Sequence, residues 1–93
     1  MAKRKHHAKS TAADAQRARA LEALLVGPKT TYDLRRLGLF QAPTRILELR
    51  RRGYEITTEP VQIVDADGFI HERVALYTLI SSPAKEHSDA DLQ

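Results

Sequence analysis

The chain has 93 residues, 15 Lys/Arg against 12 Asp/Glu for a net charge of +3, and no cysteine. That length supports one small domain with a modest core. The missing cysteines exclude disulfides and thiolate metal sites and suit a reducing compartment, and the apolar runs are far too short to span a membrane.

Residues 2–10, AKRKHHAKS, contain nothing apolar larger than alanine, which predicts a flexible basic arm over residues 1–10. No apolar stretch follows it, so it does not read as a secretory signal. Thr11 and Asp14 have the spacing of a capping box, predicting a helix from there to about Leu25. Ala18, Leu21 and Leu25 are expected on its buried face, with Leu24 beside them. Gly27-Pro28 ends that helix, and Lys29 to Thr31 could add a short strand.

Between Thr30 and Gly53 the punctuation is that of two helices and a tight turn. Thr30 and Asp33 form a second capping-box pattern. Gly38 stands where the first helix should stop, because glycine takes a left-handed C-terminal conformation cheaply. Pro43 suits the first turn of the next helix, where its missing N–H is no loss, and Gly53 closes that helix. This is a helix-turn-helix pattern. In the second helix, Ala42 to Arg52, the residues Ala42, Ile46 and Leu49, with Leu47 alongside, are assigned to the core. Thr44, Arg45, Glu48, Arg51 and Arg52 are then expected to point outward, with Gln41 just ahead.

Residues Tyr54 to Val64 and Phe69 to Leu79 are rich in β-favouring types. Asp65-Ala66-Asp67-Gly68 between them is a hairpin turn. Pro60, which cannot donate to a ladder, marks an edge, a bulge or a break. Val74 to Leu79 is apolar on both faces. Residues 81–93 are polar and aperiodic and are expected to be a disordered tail, leaving 11–80 as the domain. The predicted class is α+β: a winged helix-turn-helix of three helices followed by a two-stranded β-hairpin wing.

Charge is strongly partitioned: +4 over residues 1–9, zero over 10–28, +5 over 29–53 and −6 over 54–93. Positive charge on the arm and the helix-turn-helix is the footprint a phosphate backbone requires. A recognition helix presents its N-terminal residues to base edges in the major groove, so Gln41, Thr44, Arg45 and Glu48 are the base-reading candidates. Arg35, Arg36, Arg51 and Arg52 are the phosphate candidates, and Lys3, Arg4, Lys5 and Lys9 a mobile arm along the backbone. The wing offers only His71 and Arg73 as basic groups, among Asp65, Asp67 and Glu72. A strongly negative minor groove favours cationic wings, so deep insertion is not expected.

Catalytic readings find little support. Adjacent His6 and His7 point apart as ligands, and His71 reads as a solvated strand residue. Asp65 and Asp67 lack the further ligands of a calcium loop. Ser10, Ser81 and Ser82 have no elbow to present a nucleophile. No enzyme activity, metal or cofactor is expected. Three Tyr and two Phe are too few for a single-strand stacking platform. The segment ALLVGPKTTYDLRRLGLFQAPTRILELRRRGYEITTEPVQIVDADGFIHERVALYTL resembles the small winged helix-turn-helix domains of bacterial and prophage proteins. The resemblance covers roughly Leu21 to Leu79 and implies DNA binding, in transcriptional regulation or as a phage excision or architectural factor. The cytoplasm, at the nucleoid, is the expected location, with double-stranded DNA as partner and a homodimer or protein partner as a further expectation. The alternative on the same scaffold is a protein–protein interaction module, an adaptor or an antagonist of another regulator.

Overall fold

The computed structural model describes residues 12–84. Their order is α1 (Ala13–Val26), β1 (Lys29–Thr30), α2 (Thr31–Arg36), α3 (Ala42–Arg51), β2 (Glu55–Val64) and β3 (Ile70–Ser81). The three strands form one antiparallel sheet in the order β1-β3-β2. The wing is therefore part of a three-stranded sheet, with the short strand suggested by Lys29 to Thr31 paired as Lys29↔Tyr77 and Thr30↔Leu76.

Helix α1 starts differently from the capping pattern. Its N-cap is Ala12, with no side-chain cap hydrogen bond, and Asp14 instead accepts from the neighbouring Ala15 amide; Thr11 lies outside the described residues. The buried face is also rotated from expectation. Ala20, Ala23 and Leu24 are buried, whereas Ala18 is exposed, Leu21 half-buried and Leu25 65% exposed. The i, i+3, i+4 stripe is kept, but small alanines, which allow close helix approach, occupy two of its three positions.

Thr30 serves both a strand and a helix. Its Oγ1 accepts from the Asp33 amide at 3.0 Å while its own amide donates to Asp33 Oδ2 at 2.9 Å, completing the capping box. Helices α2 and α3 then end in the same way. Gly38, at φ +92°, donates to the Arg35 carbonyl, and Leu39 donates to that of Leu34; Gly53, at φ +102°, donates to Arg50, and Tyr54 donates to Leu49. Both are Schellman motifs, each clasped by an apolar residue beyond the glycine. Pro43 lies in the first turn of α3. Leu34, Leu39, Ala42, Ile46 and Leu49 join Ala20, Ala23, Leu24, Ile56 and Tyr77 in the core.

Strand β3 is central, as its two apolar faces require, and β2 is the edge that tolerates Pro60 opposite Ala75. The ladder runs through Pro60 without a break. Its register shifts twice, between Glu55 and Ile56 at the start and again just past Pro60: Val61 pairs with Val74 and Ile63 with His71, so Glu72 and Arg73 together oppose Gln62. Arg73 takes φ +55° at this bulge. At the tip, Asp65 Oδ1 accepts from the amides of Asp67 and Phe69, each at 2.9 Å, and Gly68 adopts φ +90°.

The folded part runs past residue 80, where the tail was expected. Ser81 is a strand residue opposite Glu55, and Pro83 packs so closely on Gly53 that a Cβ there would lie 2.9 Å from the Pro83 Cβ. Residues 85–93 lie outside the described residues. Gly53→Ala and Gly68→Ala should each cost about 1–2 kcal/mol for the left-handed conformation. Gly53→Ala should cost more, because only its methyl meets another side chain. Urea unfolding midpoints of the two variants test this, and equal losses would contradict the Pro83 contact.

Candidate nucleic-acid interface

Helix α3 buries Ala42, Arg45, Ile46 and Leu49, a complete i, i+3, i+4, i+7 face. Arg45, assigned from sequence to the outward surface, is thus only 8% exposed. Leu47, assigned to the core, is 44% exposed. The exchange has an electrostatic cause. Glu48 sits half-buried between two guanidinium groups: Arg17 Nη1 of α1 donates to its Oε1 at 2.7 Å, and Arg45 Nη2 donates to its Oε2 at 3.2 Å. Arg45 Nε also lies 3.1 Å from Oε1, an ion-pair contact whose angle is not that of a hydrogen bond. The Arg17 hydrogen bond holds the Glu48 carboxyl below the ordinary glutamate range. The charges of Arg45 and Arg52 add to this, and desolvation opposes it.

With Arg45 and Glu48 engaged, the outward stripe of α3 is Thr44, Leu47 and Arg51, preceded by exposed Gln41 and Phe40. Leu47 is the exposed residue of this stripe that the sequence assigns to the core, and Phe40 stands exposed in the turn ahead of it. An arginine at a core position was the only sign that the helix was turned, and Glu48 three residues on was the clue to how it is paid for. Arg50, left unassigned in the arginine triplet, ties α3 to β2: its Nε donates to the Ile56 carbonyl at 2.9 Å and its Nη2 to Thr58 Oγ1 at 2.6 Å.

Arg35 and Arg36 are exposed on α2, Arg51 and Arg52 at the end of α3, and Arg73 on the wing. Arg35 also lies over the Tyr32 ring, 5.8 Å from its centre. Arg73 is the one Arg or Lys between Gly53 and Pro83. Lys3, Arg4, Lys5 and Lys9 lie outside the described residues.

His71 is not a solvated strand residue. Its Nε2 contacts Asp65 Oδ2 at 2.8 Å and its Nδ1 contacts the Tyr32 hydroxyl at 3.0 Å, with the two rings 4.9 Å apart. In the neutral ring, Nε2–H donates to the carboxylate and Tyr32 donates to Nδ1. The wing is thereby fastened to α2. The His71 hydrogen bond is the main cause that lowers the Asp65 pKa, and the Phe69 and Asp67 amides reinforce it.

Both carboxyls are lowered in the folded state, so the stability they confer is complete above the ordinary carboxylate pKa of about 4. It is lost as pH falls through their depressed values. Glu48→Gln should melt below the parent at neutral pH, and the gap should narrow as pH drops from about 4 towards 2. Thermal melts across that range check this; a gap independent of pH would remove Glu48 from the acid response.

Among the described residues no three His, Asp or Glu side chains are grouped to hold a metal, and no helix is long and apolar enough to cross a membrane. No curated protein and no solved structure gives a significant match to the chain. A family model described as a winged helix-turn-helix domain matches residues 15–82, from the first turn of α1 to just beyond β3. The match takes in the turn between α2 and α3 and the whole hairpin. The chain belongs to the winged helix-turn-helix domain family, a class whose general role is DNA binding.

Proposed function

We propose that the protein binds double-stranded DNA with α3 in the major groove, as a small bacterial or phage transcriptional regulator or excision/architectural factor at the nucleoid. The observation that carries this reading is the free face of α3. Gln41 and Thr44 stand at its N-terminal end, Leu47 in the middle and Arg51 at the far end, all exposed, on a helix fixed from behind by Arg17 and Arg50. N-terminal residues of a recognition helix reach base edges. Gln41 suits adenine, Thr44 either partner type, and an apolar side chain such as Leu47 or Phe40 the methyl of thymine.

Arg51 and Arg52 grip phosphates beside this helix, with Arg35 and Arg36 on α2 and the arm of Lys3, Arg4, Lys5 and Lys9. Arg73, at the bulge, supplies the wing's phosphate contact. Arg45 and Glu48 serve as positioning residues: they set the rotation of α3 about its axis and hence which side chains face the groove. No catalytic step is assigned to any of these groups.

Fluorescence anisotropy against random duplex DNA at several salt concentrations tests the reading. Binding should fall steeply with salt, and replacing Arg51 and Arg52 together by alanine should reduce the log–log slope by about 2 while weakening all sequences alike. On a selected site, Gln41→Ala and Thr44→Ala should each relax base preference by about 1–3 kcal/mol, whereas Arg45→Ala should lower the melting temperature first. Absence of binding at low salt would overturn the proposal.

A further inference from the structure

The wing tip carries an unpartnered apolar group on an acidic mount. Val64 and Ile70 are cross-strand partners, 63% and 60% exposed, and Phe69 beside them is 67% exposed. The face of Val64 and Ile70 is opposite the one on which Ile63 and His71 lie, since side chains alternate along a strand, and Phe69 precedes the strand at the turn. That face continues into Gln62 and Glu72, which hydrogen-bond to each other at 2.9 Å. Asp67 projects from the turn, exposed. Three large apolar side chains exposed at one hairpin tip of so small a domain mark an interaction surface, and its charge sets the partner's: basic, with an apolar centre.

The chain itself holds a surface of that description. Where α1 and α2 end, an open groove of about 850 Å³ is lined by Ala23, Val26 and Leu37, with Arg19, Arg36 and one opposing charge, Glu22, along it. Val26 is 82% exposed and Leu37 44%. We propose that the wing tip of one copy docks in the α1–α2 groove of a second, Phe69 and Ile70 against Val26 and Leu37, and Asp67 and Glu72 towards the arginines. The docking is one-way, each tip entering the groove of a copy whose own tip goes elsewhere, so the contact is heterologous and leaves a free tip and a free groove at its ends, the geometry of an open chain of copies. One hairpin tip in one open groove is a small contact beside the roughly 800 Å² per partner of a stable interface, so the association is expected to be weak.

Sedimentation velocity of the full chain, up to about 1 mM, tests this without DNA. The wild type should show reversible growth past the dimer. Phe69→Glu, which keeps the groove, and Val26→Glu, which keeps the tip, should each stay monomeric with unchanged circular dichroism. Their equimolar mixture should form a heterodimer and nothing larger. Arg36→Glu should mimic Val26→Glu through charge alone. A wild type that remains monomeric, a closed symmetric dimer, or association that survives both glutamates would overturn the proposal; the first would assign the tip to a different protein.

Discussion

Glu48 decides which way α3 faces. A carboxylate held at 2.7 Å by Arg17 and at 3.2 Å by Arg45 lets an arginine occupy a position that the helical repeat gives to the core. A guanidinium taken out of water without such a partner would be costly. Paired, it turns the helix so that Ala42, Ile46 and Leu49 stay inside and Thr44, Leu47 and Arg51 stay outside. The same carboxylate joins α1 to α3, and Arg50 joins α3 to β2 from the other end. The candidate recognition helix is therefore held by charge on one side and by its apolar stripe on the other.

The wing is positioned by an independent device. Tyr32 of α2, His71 of β3 and Asp65 of the turn form one hydrogen-bonded chain, and the bulge at Arg73 bends the strand between that chain and the central sheet. Asp65 is fully committed within it, accepting from two turn amides as well as from the imidazole. Part of the wing's negative charge is thus structural. What remains outward is Asp67 and Glu72 around Phe69 and Ile70, a surface that a phosphate groove would repel. The division of labour follows from charge: the helices carry the cations and the wing tip does not.

The features legible in the sequence are those settled by nearest neighbours along the chain. The Thr30–Asp33 box, the glycines at 38 and 53, Pro43 and the Asp65–Gly68 turn each satisfy a backbone need within four residues, and each is found where it was read. The two-residue β1 was also visible, although only its partner in β3 makes it a strand. The start of α1 at Ala12 is a local exception; the other misreadings depend on distant partners. Arg45 looked like a surface residue because Arg17 and Glu48 meet only after α1 packs on α3. Leu47 looked like core because hydrophobicity alone cannot fix a helix's rotation. Leu25 yielded the core to Ala20 and Ala23, since close approach between helices selects small side chains. His71 looked solvated because Tyr32 lies 39 positions away.

These misreadings share a direction with consequences for the site. Residue type assigns arginine to the surface and leucine to the core, and within one turn of α3 Arg45 is buried and Leu47 exposed instead. A base-reading face built from Gln41, Thr44 and Leu47 reads by amide and hydroxyl hydrogen bonds and by methyl contact. It lacks the arginine-to-guanine pair that the sequence suggested. If α3 reads bases as proposed, such a face would favour A·T-rich sites, where adenine presents a donor and acceptor to glutamine and thymine presents its methyl to leucine. In the proposed complex, affinity would come chiefly from Arg35, Arg36, Arg51 and Arg52 on phosphates, contacts that position a protein without reading sequence. On the proposed mode of binding, selectivity and grip would be separate in this domain, the first on the outer stripe of α3 and the second on the helix ends around it.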